Sequence, residues 1–163
     1  MNHGTTPRPN LQQAVPFFRV SNMQASLKFY REGLGFALKN TWAPRGTVEW
    51  CWLTRDNVAI MLQELRPEWV ATHPPEGKLG IGMSIEFQCL DAIALYHEFT
   101  AKGLNPNEPC VGNGLWVTSI TDPDGFCLGF ESPTDMAEGT TYRAWLQLYT
   151  PQQDSIVDGP TVA

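Results

Sequence analysis

Several side chains with recognition chemistry lie in strand-like segments, where they alternate with apolar residues. The guanidinium of Arg19 can clamp a carboxylate or a phosphate, and Glu86 or Glu131 can pair with an ammonium group. Trp50 and Trp52 lie two residues apart and therefore share one strand face, from which their rings can stack on a planar or cationic ligand. Each group also has a structural interpretation, because Arg19 can neutralise a glutamate and the indoles can belong to the core.

The sequence offers no familiar set of catalytic residues. No Ser–His–Asp or Cys–His arrangement can be assembled, since His3, His73 and His97 are scattered over a terminal segment, a proline-rich segment and a predicted helix. The four cysteines form no CxxC pair and are expected to be buried free thiols. The segment 112–114 (GNG) is typical of a strand-connecting turn and not of a phosphate-binding loop.

The composition restricts the possible partners. With 163 residues and 42% apolar residues, the chain is long enough for one domain with a substantial core. Its 17 acidic and 11 basic residues give a net charge of −6, which argues against nucleic acid and is compatible with a cationic ligand. No apolar run reaches the roughly 18 residues of a membrane helix, and the first residues lack the apolar core of a secretory signal. We therefore expect a soluble, cytoplasmic protein.

The chain repeats itself weakly at a spacing of 68 to 69 residues. Each unit opens with a strand, followed by a good N-cap residue (Asn22 or Asp91) and an amphipathic helix that ends at glycine. Each then continues as strand, tight turn, strand, with turn residues at 56–57 and 124–125. The apolar stripes of the two helices are Met23, Leu27, Tyr30 and Leu34, and Ala92, Leu95, Tyr96 and Phe99. The sequence thus predicts two βαβββ units.

The predicted boundaries follow from this repeat. Residues 12–65 form the first module, residues 66–80 a linker rich in proline and glycine, and residues 81–134 the second module. Residues 1–11 are predicted to be a disordered tail, and residues 135–163 a C-terminal extension with a disordered end. Within that extension, residues 141–149 can form a short amphipathic segment that packs on its own module or on a partner subunit.

Two motifs at the right separation carry a family resemblance. The segment 17–22 (FFRVSN) followed by 26–36 (SLKFYREGLGF), and the turn 122–126 (DPDGF), resemble the glyoxalase/bleomycin-resistance/dioxygenase (vicinal oxygen chelate) superfamily over residues 12–133. The resemblance is closest in character to the non-metal, bleomycin-resistance-like branch. It implies an α+β fold in which two tandem βαβββ modules have curved mixed sheets that form an open cup with the helices outside. It also implies a homodimer, and some relatives build each cup from two chains.

The resemblance also locates where a metal would be held. Metal-dependent relatives use His, Gln or Glu side chains from the first and fourth strands of each module. Those positions fall here on Val15, Met61, Ser84 and Gly129. None of these is a good ligand for a hard divalent ion. A shift of two residues keeps the strand face and gives instead Phe17, Gln63, Glu86 and Glu131. That set has three oxygen donors but no histidine, so we expect no metal and no other cofactor.

Strand alternation then predicts the lining of the cup, in which the small Gly129 leaves room where relatives place a ligand side chain. The candidate ligand-binding residues are Phe17, Arg19, Trp50, Trp52, Met61, Gln63, Ser84, Glu86, Gln88, Trp116, Gly129 and Glu131.

The expected function is binding of a small organic molecule, such as a planar or cationic drug-like compound, without metal catalysis. A member of this kind would confer antibiotic resistance by sequestration, with no nucleic acid or membrane as partner. One alternative is a metal-dependent lyase, isomerase or ring-cleaving dioxygenase with a displaced ligand set. Another is a metal-free enzyme in which Glu86 or Glu131 is the general base.

Overall fold

The computed structural model describes residues 10–149. The disorder predicted for residues 1–9 and 150–163 therefore lies outside the described residues. Within the described part, no helix is long and apolar enough to cross a membrane.

The chain folds into two four-stranded mixed sheets with helices, and neither sheet closes into a barrel. In both, the first strand runs parallel to the fourth, and the remaining pairs are antiparallel. The strand orders are β1-β4-β3-β2 and β5-β8-β7-β6. This confirms the predicted α+β fold of two βαβββ modules. The elements are β1 (Phe17–Val20), α1 (Met23–Leu27, continuing as a π-helix over Lys28–Gly33), β2 (Ala37–Trp42), β3 (Trp50–Arg55), β4 (Val58–Glu64), α2 (Pro67–Thr72), β5 (Ser84–Gln88), α3 (Ala92–Ala101), β6 (Cys110–Gly112), β7 (Leu115–Thr121), β8 (Cys127–Pro133) and α4 (Tyr142–Tyr149).

The predicted caps begin both module helices. The side chain of Asn22 accepts a hydrogen bond from the N–H of Ala25 at 2.9 Å, and that of Asp91 accepts one from Ala94 at 2.8 Å. Each carboxyl or amide oxygen thus satisfies one of the N–H groups that have no partner within the helix. The wider π-helical turn at the end of α1 was not predicted, but it still buries Tyr30 completely.

Two helices outside the modules refine the sequence interpretation. The predicted linker contains α2, which begins at Pro67, where a missing N–H costs nothing. The predicted amphipathic segment forms α4 and packs on the second module, with Trp145 6.3 Å from Trp116 between ring centroids. The four cysteines are free, although only Cys51 is fully buried. Burial raises the pKa of the Cys51 thiol to about 11, so its reactive thiolate is scarce at neutral pH.

Strand alternation gives each sheet one covered face and one open face. In the first sheet, Phe18, Ile60 and Leu62 point to the covered face and are almost completely buried. In the second sheet, Leu128 and Phe130 do the same. These side chains belong to one continuous apolar core that also includes Met23 and Leu27 of α1 and Phe99 of α3. Because the side-chain period of a strand is two, the residues between them must lie on the open faces.

The tip of the β7–β8 hairpin ties the second module to the first through Asp122. Its Oδ1 accepts hydrogen bonds from the N–H groups of Asp124 (2.9 Å) and Phe126 (2.8 Å), and its Oδ2 accepts one from the Tyr30 hydroxyl at 3.0 Å. Burial raises the pKa of the Asp122 carboxyl, while these donors favour its charged form and limit that rise. A single buried carboxylate therefore closes the hairpin turn and holds it against α1.

Replacing this carboxylate should be costly. We expect Asp122→Ala to lower the free energy of unfolding by about 2–4 kcal/mol, since it leaves two backbone donors and one hydroxyl buried without their acceptor. Tyr30→Phe removes only one of the three hydrogen bonds and should cost about 1 kcal/mol. Urea unfolding measures both values. Equal losses for the two variants would show that the turn does not depend on Asp122.

Candidate functional site

The open face of the first sheet carries an aromatic wall, which we define as Phe17, Arg19, Trp50, Trp52, Met61 and Gln63. The strand register arranges these residues in two rows across β1, β4 and β3. One row is Phe17, Met61 and Trp52, and the neighbouring row is Arg19, Gln63 and Trp50. Side chains in one row stand about 4.8 Å apart at their backbones, which is close enough to form one continuous surface. These six residues therefore share the face of the first sheet that is turned away from the core.

Cations already lie over two rings of this wall. The guanidinium carbon of Arg19 is 5.4 Å from the Phe17 ring centroid, and the ammonium nitrogen of Lys39 is 6.0 Å from the Trp52 ring. Arg19 forms no ion pair with Glu86 or Glu131 among the described residues. The structure thus does not show the neutralising pair that was one interpretation of Arg19. Its guanidinium is exposed and available to an anionic group.

The indole N–H of Trp52 has no hydrogen-bond partner in the part of the chain that the structure describes, although the nitrogen itself is buried. Buried donors without an acceptor are uncommon in folded proteins because they lose their hydrogen bonds to water. The aromatic wall therefore contains one buried donor, the indole N–H of Trp52, that no acceptor of the described residues satisfies.

The open face of the second sheet carries an acidic wall, which we define as Ser84, Glu86, Gln88, Gly129 and Glu131. Register pairs Glu86 with Gly129 and Gln88 with Glu131 across β5 and β8. The amide of Gln88 donates a hydrogen bond to the Glu131 carboxylate. Glu86 is exposed and has no hydrogen-bond or ion-pair partner among residues 10–149. It is therefore the free anionic group of this wall.

Glu86 also occupies the space that the sequence analysis assigned to a ligand. A Cβ atom added at Gly129 would stand 1.6 Å from Oε2 of Glu86, so the carboxylate lies directly above the glycine. The space above Gly129, which the sequence analysis expected to be empty, is taken by this side chain of the neighbouring strand. A ligand that binds here meets a carboxylate and not an empty space.

Trp116 was assigned to the wrong face. It is 6% exposed and packs with Ala92 and Val111 against Trp145 of α4, on the covered side of the second sheet. On β7 the open-face positions alternate with it, and Val117 and Ser119 occupy them. Trp116 is therefore a core residue, as the structural interpretation of the indoles proposed. Trp116 therefore lies behind the acidic wall and cannot touch a ligand bound on it.

One aromatic residue of the open face was missed. Trp42 of β2 pairs with Trp50 of β3 and extends the row of Arg19 and Gln63, and 44% of its surface is exposed. Arg66 lies over its ring at 5.9 Å. The sequence carries a signal for it, since Trp42 precedes Trp50 across a short turn segment. That signal is weak because β2 is fully exposed and shows no alternation of apolar and polar residues.

The described residues do not fit a divalent ion. No group of three or more His, Cys, Asp or Glu side chains within residues 10–149 lies close enough together to hold one. Of the displaced set, Gln63 lies on the first sheet and Glu86 and Glu131 on the second, and none of the three is a histidine. Glu131 is further engaged by Gln88.

The walls are also not in contact with each other. Among residues 10–149, no hydrogen bond, ion pair or ring contact joins a side chain of the aromatic wall to one of the acidic wall. Phe17, at the start of the edge strand β1, is 44% exposed. Both walls therefore present surface that a ligand or another chain could cover.

Comparisons with known proteins agree on the fold. The family model of the glyoxalase/bleomycin resistance protein/dioxygenase superfamily matches residues 11–130. The structure is similar to a bleomycin-binding protein complexed with bleomycin, with a TM-score of 0.59 and 20% identity over 75% of this chain and 98% of that chain. It is also similar to a bleomycin resistance determinant encoded on the transposon Tn5, with a TM-score of 0.60 and 20% identity over 77% of this chain and 100% of that chain.

A third similar structure is TnmS3, an antibiotic binding protein from Streptomyces sp. CB03234, with a TM-score of 0.57 and 21% identity over 78% of this chain and 100% of that chain. Comparison with curated protein sequences found no match.

Proposed function

Since the chain belongs to the glyoxalase/bleomycin resistance protein/dioxygenase superfamily, we propose that it binds a small organic molecule on its open sheet faces without metal catalysis. The aromatic wall is the observation that carries this proposal. Stacking on desolvated indole rings favours a planar ligand, and such contacts contribute about 1 kcal/mol or more each. The free carboxylate of Glu86 favours a positively charged group on the same molecule.

Two of the similar structures give this proposal its ligand class. One was solved with bleomycin bound and another is described as an antibiotic binding protein. A protein that binds such a compound tightly lowers its free concentration without changing it chemically. We propose sequestration of a planar or cationic drug-like compound as the biological role, which would make the chain an antibiotic resistance protein.

The enzymatic alternatives have less support. A lyase, isomerase or dioxygenase of this superfamily needs a divalent ion, and the open-face residues supply no suitable ligand set. A metal-free enzyme would need Glu86 or Glu131 in buried surroundings that favour its protonated form. Glu86 is exposed, and Glu131 accepts a hydrogen bond from Gln88. Neither carboxylate has the surroundings expected of a general base.

The proposal includes a homodimer in which a second copy covers the walls. The aromatic wall carries Arg19 and has Lys39 beside it, whereas the acidic wall carries Glu86 and Glu131. An aromatic wall of one chain facing an acidic wall of the other would pair these charges and enclose a ligand between them. Such complementarity selects the correct partner and orientation.

Tryptophan fluorescence tests the ligand proposal. We expect bleomycin or another planar cationic compound to quench it saturably, and Trp50→Ala or Trp52→Ala to weaken binding about tenfold. Trp69→Ala is the matched control, because Trp69 is 48% exposed on α2 and packs on His73 and not on either wall. Absence of saturable quenching across a panel of such compounds would contradict the proposal, as would equal loss of affinity in the Trp69 variant.

Elemental analysis tests the absence of metal catalysis. The protein is purified after expression in medium supplemented with zinc, nickel and manganese, and we expect far less than one ion per chain because suitable ligands are missing. A stoichiometric divalent metal would contradict this, provided that its removal abolishes turnover of a glutathione hemithioacetal or a catechol.

Sedimentation equilibrium tests the dimer. We expect a mass twice the 18.2 kDa of the chain, and we expect Phe17→Glu to shift the population towards monomer by placing a charge on the aromatic wall. Leu148→Glu is the control, since Leu148 is 73% exposed on α4 and away from both walls. A monomeric parent protein would refute the dimer, and dissociation by the control variant alone would place the interface elsewhere.

A further inference from the structure

The two modules meet at two junctions that are equivalent under the internal repeat. In each, the tip of one module's hairpin lies against the first strand and helix of the other module. Met61 and Gly129 occupy the same place beside the first strand of their modules. Val58 and Phe126 precede them by the same number of residues and are therefore equivalent too. The N-caps Asn22 and Asp91 make Phe18 equivalent to Phe87. The two junctions can therefore be compared position by position.

The junction at the β7–β8 tip is filled by the chain itself. The ring of Phe126 stacks on Phe18 with centroids 4.1 Å apart and an interplanar angle of 11°. The N–H of Ser21 donates to Asp124 at 3.0 Å, and the Tyr30 hydroxyl donates to Asp122. An aromatic ring and two hydrogen bonds thus close this side of the molecule.

The junction at the β3–β4 tip is open. Val58 stands where Phe126 stands in the filled junction, and its isopropyl group is smaller than a phenyl ring. It is 36% exposed, and Leu90, at the position equivalent to Ser21, is fully exposed. A cleft of about 770 Å³ lies between this tip and α3, which is within the usual size of small-molecule sites. Its apolar lining includes Phe36, Val58, Phe87, Leu95 and Phe130.

The charges around the cleft are mainly negative. Its lining contains the carboxylates of Asp56, Asp91 and Glu98 and one cation, Arg55. The guanidinium of Arg55 is held by Glu98 at 2.7 Å and lies 3.8 Å from Asp56. Glu98 is paired with Arg55 and, on its other oxygen, with Lys102 at 2.7 Å. The carboxylates of Asp56 and Asp91 therefore remain at the rim to attract a positively charged ligand.

We propose that the β3–β4 cleft is a second ligand site, separate from the open walls, and that it binds a small aromatic amine in its protonated form. The aromatic ring takes the place that Phe126 fills in the equivalent junction, next to Phe87. The ammonium group lies at the rim, near Asp56 and Asp91. Only Gln88 belongs both to the acidic wall and to the lining of this cleft.

The probe is 4-fluorophenethylamine, followed by fluorine NMR on the full chain. We expect saturable binding to the parent protein and to Val58→Ala, which keeps the cleft open. Val58→Phe should weaken binding by about tenfold or more, because its ring occupies the space of the ligand ring. The anionic analogue 3-(4-fluorophenyl)propanoate should bind about tenfold more weakly than the amine. Val58→Phe should leave the bleomycin titration unchanged, which separates this site from the walls.

A second measurement uses only the parent protein, so it does not require any variant to fold. Methyl NMR of the parent protein should show shifts at Val58, Leu90 and Leu95 on addition of the amine, and none at Met61 of the aromatic wall. The proposal is wrong if the amine does not bind, if its shifts map to Met61 instead, or if a folded Val58→Phe protein binds it as the parent does. Equal affinity for the anionic analogue would refute the choice of a cationic ligand.

Discussion

The two-residue period of the β-strand is the constraint on which the rest of this structure depends. Phe18, Ile60 and Leu62 must face the apolar core, and that requirement alone turns Phe17, Met61 and their neighbours to the opposite side. A slip of one residue in any strand would bury the charged groups of the open faces and expose the core. The aromatic wall is therefore as firmly positioned as the core behind it.

This constraint explains what the sequence could predict. Once the two βαβββ units are recognised, one buried residue in a strand, such as Phe18 or Phe87, determines which sheet face each other residue of that strand lies on. Trp50 and Trp52 were open to two interpretations because Cys51 and Leu53, which alternate with them, could also be placed on either side. Trp116 was misplaced because nothing local in the sequence shows that α4 brings Trp145 against it. That contact is long-range, and it covers Trp116 near the start of β7.

Other features depend on how side chains fill the available space and not on strand alternation, so they could not be predicted from the sequence. Gly129 is compatible with an empty position, but the side chain of Glu86 lies over it because the strand pairing brings the two residues together. Trp42 could not be assigned to the wall because β2 is exposed throughout. The cleft near Val58 depends on a difference in side-chain size at positions that only the strand register makes equivalent, Val58 and Phe126.

The repeat also shows how two similar modules have acquired different surfaces. At one pair of equivalent open-face positions, the first module has the indole of Trp50 and the second has the isopropyl group of Val117. At another pair, the first module has the thioether of Met61 and the second has Gly129, which has no side chain. One wall is aromatic with cations beside it, and the other is small and acidic. A crystal structure of the protein grown with a bleomycin-type compound tests the central claim most directly. We predict ligand density against Trp50 and Trp52 with its cationic group near Glu86, whereas a metal ion held by Gln63, Glu86 and Glu131 would contradict the account.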